Sequence, residues 1–228
     1  GGVNHLEVQA LSPITAPNEM AERLDSVLIK LKQDPLYPKL FKAAFGTPDI
    51  TTQRMLRALA QFTGSIVSSN SKYDRVKRGE DKFTQMEERG YALFKQKCSS
   101  CHTEPLFTDN SFRNNGLAKD SMLNDWGRMK VTGESADSLK FRVPSLRNVQ
   151  LTSPYMHDGR IYSLGEAVEH YRSGIITTQP TLDPLLKNRI AMTLQEKYDI
   201  IYFLNTLTDY TLTKDPRLGP THEMKYIH

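Results

Sequence analysis

Apolar residues recur at helical spacing through much of the first third of the chain. From Glu19 to Lys32 they are Met20, Leu24, Val27, Leu28 and Leu31, one stripe of an amphipathic helix. Asp34-Pro35 breaks that pattern and opens a second helix carrying Leu36, Leu40, Phe41 and Ala44, which Gly46 stops. Thr51 or Thr52 caps a third, with Met55, Leu56, Leu59, Phe62 and Ile66 on one face and Ser68 to Ser71 at its end. Residues 1–17 read as loop, punctuated by Pro13 and Pro17. The charged stretch 72–82 reads as an interdomain linker anchored by Tyr73.

Three Ser/Thr-x-x-Glu sequences then mark helix starts by capping box: Thr84/Glu87, Ser163/Glu166 and Thr193/Glu196. The second helix runs through Tyr171 and the third to about Leu207, with a poorly periodic tail from Thr208. Residues 103–142, rich in Asn, Asp, Gly and Ser, read as one long irregular loop of the kind that is usually functional. No segment alternates convincingly with period two, so the class is mostly α, with domains at 1–80 and 81–228. A faint repeat, Thr51–Phe62 with Thr193–Leu204 and Gly1-x-x-x-x-Leu6 with Gly159-x-x-x-x-Leu164, suggests two similar helical domains in tandem.

The helix begun at Thr84 leads into Cys98-Ser99-Ser100-Cys101-His102, and these two cysteines are the chain's only ones. Cys-x-x-Cys-His is the attachment signature of a c-type haem: each thiol bonds one vinyl group, and the histidine becomes the proximal iron ligand. There are two rivals. A structural zinc site usually needs a second Cys or His pair a short way along the chain; His5, His157 and His170 form none, and the pair His222 and His228 lies more than a hundred residues past Cys101. A thioredoxin-like dithiol calls for a βαβ setting, whereas the flanks here read as helix. A wrapped haem also gives the long loop a purpose.

Composition narrows the classes. The 228 residues are 38% hydrophobic and 25% charged, with 30 basic against 26 acidic residues and a net charge of +4. No basic run with interleaved aromatics supports nucleic-acid binding, and no apolar stretch reaches the roughly 18 residues of a membrane span. The first residues do not read as a signal peptide; since haem c is normally attached outside the cytoplasm, the expectation is an exported, periplasmic protein whose sequence is mature or trimmed.

Beyond the haem motif, Phe141-Arg-Val-Pro-Ser-Leu-Arg-Asn-Val149 followed by Leu151-Thr-Ser-Pro-Tyr-Met-His-Asp-Gly159 resembles the bacterial diheme cytochrome c peroxidases and their MauG-type relatives. So do Phe62–Asp74 and Gly90–His102. The resemblance covers almost the whole chain. It implies cytochrome c-like haem domains in tandem, one haem c in each, and often a calcium ion. This chain has one Cys-x-x-Cys-His where the family has two, and Gly1-Gly2 is similar to the end of the family's Trp-Asp-Gly segment. The expectation is a C-terminal portion holding part of the first domain and all of the second. The first haem's attachment site and the tryptophan between the haems would then lie upstream; a true monohaem protein is the alternative.

The resemblance also implies roles. Gln9-x-x-x-Pro13 and Glu19-Met20 resemble the peroxide side of the first haem: Glu19 as general acid–base, Gln9 orienting peroxide or water, Pro13 shaping the pocket. On spacing alone the plainer reading prevails: Glu19 as a helix-start residue favoured by the dipole, and Gln9 as a loop residue. Where typical family peroxidases carry a methionine iron ligand, this chain reads Glu166-Ala-Val-Glu-His-Tyr171, as MauG-type enzymes do. Tyr171 as sixth ligand implies a lower-potential haem, because a phenolate favours oxidised iron; His170 and Met156 are rival ligands, and an ordinary half-buried aromatic is the plain alternative. Arg128 and Arg147 are candidates for haem propionates, with His157 as a further donor. The carbonyls of Thr152 and Pro154 match calcium positions. Trp126 is assigned packing only. The implied activity is peroxide reduction with electrons from a small donor such as a cytochrome c or cupredoxin. The alternatives are a MauG-type oxidase acting on a partner protein and a single-haem electron-transfer module.

Overall fold

The computed structural model describes residues 2–219, so Gly1, on which the start-of-chain resemblance rests, and His222 and His228 lie outside the described residues. The chain divides into two compact units, Gly1–Val67 and Ser68–His228. Both are helical, and the only strands among the described residues are two of two residues each.

The first unit contains α1 (Leu6–Gln9), α2 (Leu11–Thr15), α3 (Leu24–Gln33), α4 (Leu36–Phe45) and α5 (Thr52–Ser65). Two short helices therefore replace the loop expected over residues 1–17. Pro13 does not prevent the second, because it falls within the first turn, where its missing N–H breaks no bond. α3 begins at Leu24, later than Glu19: residues 16–22 form a tight turn in which the Ala21 and Glu19 amides donate to the Ala16 carbonyl. Gly46, at φ 78°, ends α4 as expected, and the Thr51 hydroxyl accepts from the Arg54 amide to start α5. Ile14, Phe41, Ile50, Met55 and Leu56 form the core, with Leu24, Val27, Leu28 and Leu31 packed against it. The outer part of the α5 stripe, Leu59, Phe62 and Ile66, is exposed.

The second unit begins with α6 (Lys72–Lys77), opened by a fourth capping box, Ser71/Asp74. The linker reading of 72–82 and the boundary at residue 80 are thereby corrected: Tyr73 is 3% exposed and belongs to this unit's main core, so the division falls after Val67. The other three capping boxes form as expected, starting α7 (Gln85–Lys97), α9 (Leu164–Glu169) and α10 (Leu194–Asn205). α9 passes directly into a π-helical turn, His170–Gly174. The tail adds α11 (Tyr210–Thr213). The long loop carries α8 (Met129–Thr132), and its ends pair as β1 (Phe112–Arg113) and β2 (Phe141–Arg142), antiparallel, with Phe112 opposite Arg142.

α7 and α10 form the centre of this unit. They approach until the position of a Cβ on Gly90 would lie 1.9 Å from the Asp199 carbonyl oxygen, so only glycine fits. Arg89 fixes the register through two bonds to the buried Asp199 carboxylate, 2.9 and 3.0 Å. Phe94, Phe107, Phe203 and Tyr73 interlock beside that crossing, with ring centroids 4.8–6.2 Å apart.

Candidate haem site

α7 delivers the two thiols. The Cys98 amide donates to the Phe94 carbonyl (2.8 Å) as the last bond of the helix, and the His102 amide donates back to the Cys98 carbonyl (3.0 Å), closing one tight turn. Cys98 packs against the aromatic core. Burial pushes its thiol up to about 12, and burial likewise raises Cys101. Both cysteines are free of disulfide, and among the described residues no three His, Cys, Asp or Glu side chains gather into a group able to hold an ion. Cys98, Cys101 and His102 therefore do not converge on one point, as zinc ligands must. Two thiols that each bond a separate vinyl group of one porphyrin would have no need to.

His102 is prepared as a ligand. Its Nδ1 lies 3.0 Å from the Phe107 carbonyl. A carbonyl only accepts, so Nδ1 carries the proton and Nε2 keeps its lone pair, the arrangement that orients metal-binding imidazoles. Burial lowers the pKa of His102, against smaller upward contributions from the Phe107 and Pro144 carbonyls, so the ring is neutral at neutral pH. Pro144 is brought there by the segment that carries the family resemblance. That segment is strapped to the loop by Thr108 Oγ1 donating to the Val143 carbonyl (2.6 Å) and Ser145 Oγ donating to the Leu106 carbonyl (2.5 Å).

Tyr171 lies in the π-helical turn, a feature frequent at functional sites. Burial raises its phenol pKa; an Asn115 hydrogen bond works against that, and both Cys101 and Cys98 are close enough to add to the rise. The rivals have other partners. His170 is 7% exposed and donates from Nε2 to the Asn115 carbonyl (3.0 Å), and Met156 Sδ accepts from Asn115 Nδ2 (3.5 Å). Asn115, which sequence reasoning missed, thus organises all three candidates. A cation at the iron position would supply the positive charge that burial denies a phenolate. The donor set fits haem c: two thiols and an imidazole with a free lone pair on one segment, and a phenol near both thiols.

The remaining candidates fall as follows. Arg147 binds Asp74 through two 2.9 Å bonds and donates to the Pro105 carbonyl, and Arg128 binds Asp137 (3.0 Å) while lying over the Phe112 ring. Each has a carboxylate partner within the protein. His157 stacks on Phe141 with centroids 3.7 Å apart, and burial lowers its pKa. Thr152 and Pro154 are exposed on one loop. In the first unit, the Met20 amide donates to the Pro13 carbonyl (3.1 Å), so Pro13 and the exposed Glu19 share one turn, while Gln9 ends α1 on the surface. No described helix is long and apolar enough to cross a membrane.

Comparison with known proteins agrees with this architecture. Residues 1–82 match the family model described as di-haem cytochrome c peroxidase. A methylamine utilization protein MauG of Methylorubrum extorquens is 38% identical over 91% of this chain and 59% of its own length. A cytochrome c551 peroxidase of Nitrosomonas europaea is 36% identical over 97% of this chain and 64% of its length. A MauG-like protein associated with microbial copper homeostasis, solved by crystallography, superposes with a TM-score of 0.83 at 32% identity, covering 94% of this chain and 71% of that one. The chain spans about 60% of the length of those two curated relatives. On the fold, the haem-motif geometry and these identities, the chain belongs to the di-haem cytochrome c peroxidase and MauG family.

Proposed function

We propose that the protein is a periplasmic c-type peroxidase that reduces hydrogen peroxide with electrons from a small redox donor, a cytochrome c or a cupredoxin. The observation that carries this is His102, neutral, with Nδ1 held by the Phe107 carbonyl, at the end of a helix bearing two unpaired thiols. Haem c, when bound, supplies one-electron redox chemistry at iron. Cys98 and Cys101 would hold it covalently, His102 would ligate the iron through Nε2, and Tyr171 would supply a further iron ligand. A second haem, expected from the family's di-haem character, would use cysteines other than these two. Glu19 would move the proton between peroxide oxygens, with Gln9 orienting the peroxide and Pro13 setting the turn that carries Glu19. Arg128, Arg147 and His157 remain candidates for propionate contacts, and the Thr152 and Pro154 carbonyls for calcium.

The test is intact mass and haem staining of the native protein, followed by steady-state oxidation of a reduced small cytochrome c by peroxide. Two haems and turnover are expected; a haem-loaded protein without turnover overturns the peroxidase reading. Tyr171, at the position where MauG-type enzymes carry tyrosine, favours a second reading: an oxidase that draws electrons from a partner protein's side chains. Peroxide-dependent mass change in a partner protein, with no cytochrome oxidation, would select it.

A further inference from the structure

The aromatic core beside α7 contains more polar chemistry than packing requires. The Tyr73 hydroxyl donates to Glu104 Oε2 at 2.8 Å, and the Tyr91 hydroxyl donates to the same oxygen at 3.1 Å. The other carboxylate oxygen, Glu104 Oε1, is buried and has no hydrogen-bond partner. A buried acceptor left unpartnered costs about 1–3 kcal/mol and calls for a reason. Lys77 Nζ donates to the Tyr91 oxygen at 2.7 Å and lies 3.5 Å from Glu104. Burial pushes both phenols up, so each is a neutral phenol at any working pH.

The two rings differ in setting. Tyr73 is enclosed, its ring 4.8 Å from that of Phe107, whose carbonyl holds His102. Tyr91 is half-buried on α7, its ring 6.2 Å from Tyr73, with Lys95 Nζ 4.4 Å above it. Oxidising a phenol by one electron makes its proton a strong acid, so the step is easy only where a base already accepts that hydrogen bond. Both tyrosines have that base, and it is the same carboxylate.

We propose that Tyr73 and Tyr91, with Glu104 as their shared proton acceptor, form a redox relay that carries an oxidising equivalent from the haem at Cys98, Cys101 and His102 to the protein surface at Tyr91. The inference rests on the haem assignment made above. In the first step Tyr73 gives one electron to the oxidant, a haem that has itself delivered electrons to peroxide, and its phenolic proton passes to Glu104. The products are a neutral tyrosyl radical and a neutral glutamic acid. Tyr91 reduces the Tyr73 radical as the proton held on Glu104 returns to the Tyr73 oxygen and Glu104 takes the Tyr91 proton in exchange. An external one-electron donor then restores Tyr91, whose oxygen recovers the proton from Glu104. Lys77 keeps its hydrogen bond to the Tyr91 oxygen throughout.

The test uses the haem-loaded protein and two oxidants. Flash-quench photo-oxidation with a ruthenium complex drives the relay without peroxide, and rapid-freeze paramagnetic resonance after peroxide addition examines it in reaction. A neutral tyrosyl radical is expected in both. Tyr73→Phe should abolish the radical at Tyr91, and Tyr91→Phe should confine it to Tyr73. Glu104→Gln should slow its formation at least about 100-fold, the low end of what a positioned base contributes, and change its solvent isotope effect, which a packing role would leave alone. Haem oxidation without any tyrosyl radical overturns the relay, as does a radical whose rate is the same in Glu104→Gln. A radical on flash-quench with a haem inert to peroxide supports the relay and overturns the peroxidase reading instead.

Discussion

An alanine at Gly90 tests the helix crossing on which the haem site is built. Its Cβ would lie 1.9 Å from the Asp199 carbonyl oxygen, 2.6 Å from the carbonyl carbon and 3.0 Å from Phe203 Cβ. Ordinary carbon–oxygen contact is ~3.3 Å, so α7 and α10 must part by about 1.4 Å. The obstructing atom is helix backbone and cannot rotate aside. A gap of that size forfeits about half or more of the dispersion energy between facing atoms, here among Phe94, Ile200, Phe203 and Leu204, all buried. Overpacking against an unyielding neighbour costs ~3–4 kcal/mol, at or beyond the top of the usual range. Alanine's better helix propensity returns about 1 kcal/mol. The net loss is about 2–3 kcal/mol, or about 4–12 °C in Tm for a chain of this size. Gly165→Ala is the control: its Cβ would meet nothing closer than 4.0 Å, so only the propensity gain applies and stability holds or rises. Thermal and urea unfolding of the haem-loaded protein, followed by circular dichroism and haem absorbance, measures both. A Gly90→Ala protein within ~0.5 kcal/mol of the parent, or a Gly165→Ala protein that falls as far, would refute the argument.

Replacing Tyr171 with methionine should shift the ferric haem spectrum and raise that haem's potential, since a thioether favours reduced iron; an unchanged spectrum removes Tyr171 from the iron. Glu19→Gln should lower peroxide turnover ~100-fold or more with haem content intact, and turnover near the parent's would assign Glu19 to the surface turn alone. Burial would raise the pKa of Asp109, but hydrogen bonds from Ser111 and Arg113 hold it down at about 2. A depressed carboxylate contributes stability that is present above the usual value of ~3.9 and is lost as pH falls toward ~2. Asp109→Asn should therefore cost stability at neutral pH and flatten the acid limb of the stability curve between about pH 4 and pH 2. Denaturant midpoints across that window show whether it does. Arg147→Ala leaves the Asp74 carboxylate, 12% exposed, without its charge partner and should cost ~3 kcal/mol at neutral pH.

The capping boxes were legible because a cap is local: Thr84, Ser163 and Thr193 each bond a residue three positions on, and the sequence contains the whole interaction. The stripe Leu24, Val27, Leu28, Leu31 was legible for the same reason, since one period fixes one face. The stretch around Tyr73 was misread as a linker because the role of its one anchoring aromatic is not local. Eight charged residues among the eleven of 72–82 outweighed one aromatic, yet that aromatic enters the core against Phe107 and Phe203 from elsewhere in the chain. The fourth capping box, Ser71/Asp74, escaped because it ends in aspartate rather than glutamate, although the reciprocal bonds still form. The haem motif was legible as chemistry, while the residues that prepare it were not. Phe107 acts through its carbonyl and Asn115 through both carbonyl and amide, and a backbone carbonyl has no signature in the identity of its residue. Gly90 was the exception that could have been found. It heads Gly-Tyr-Ala-Leu-Phe on a helix of otherwise ordinary formers, and a mid-helix glycine costs about 1 kcal/mol. Such a cost persists only where another backbone occupies the space of the missing Cβ, which is what Asp199 does here.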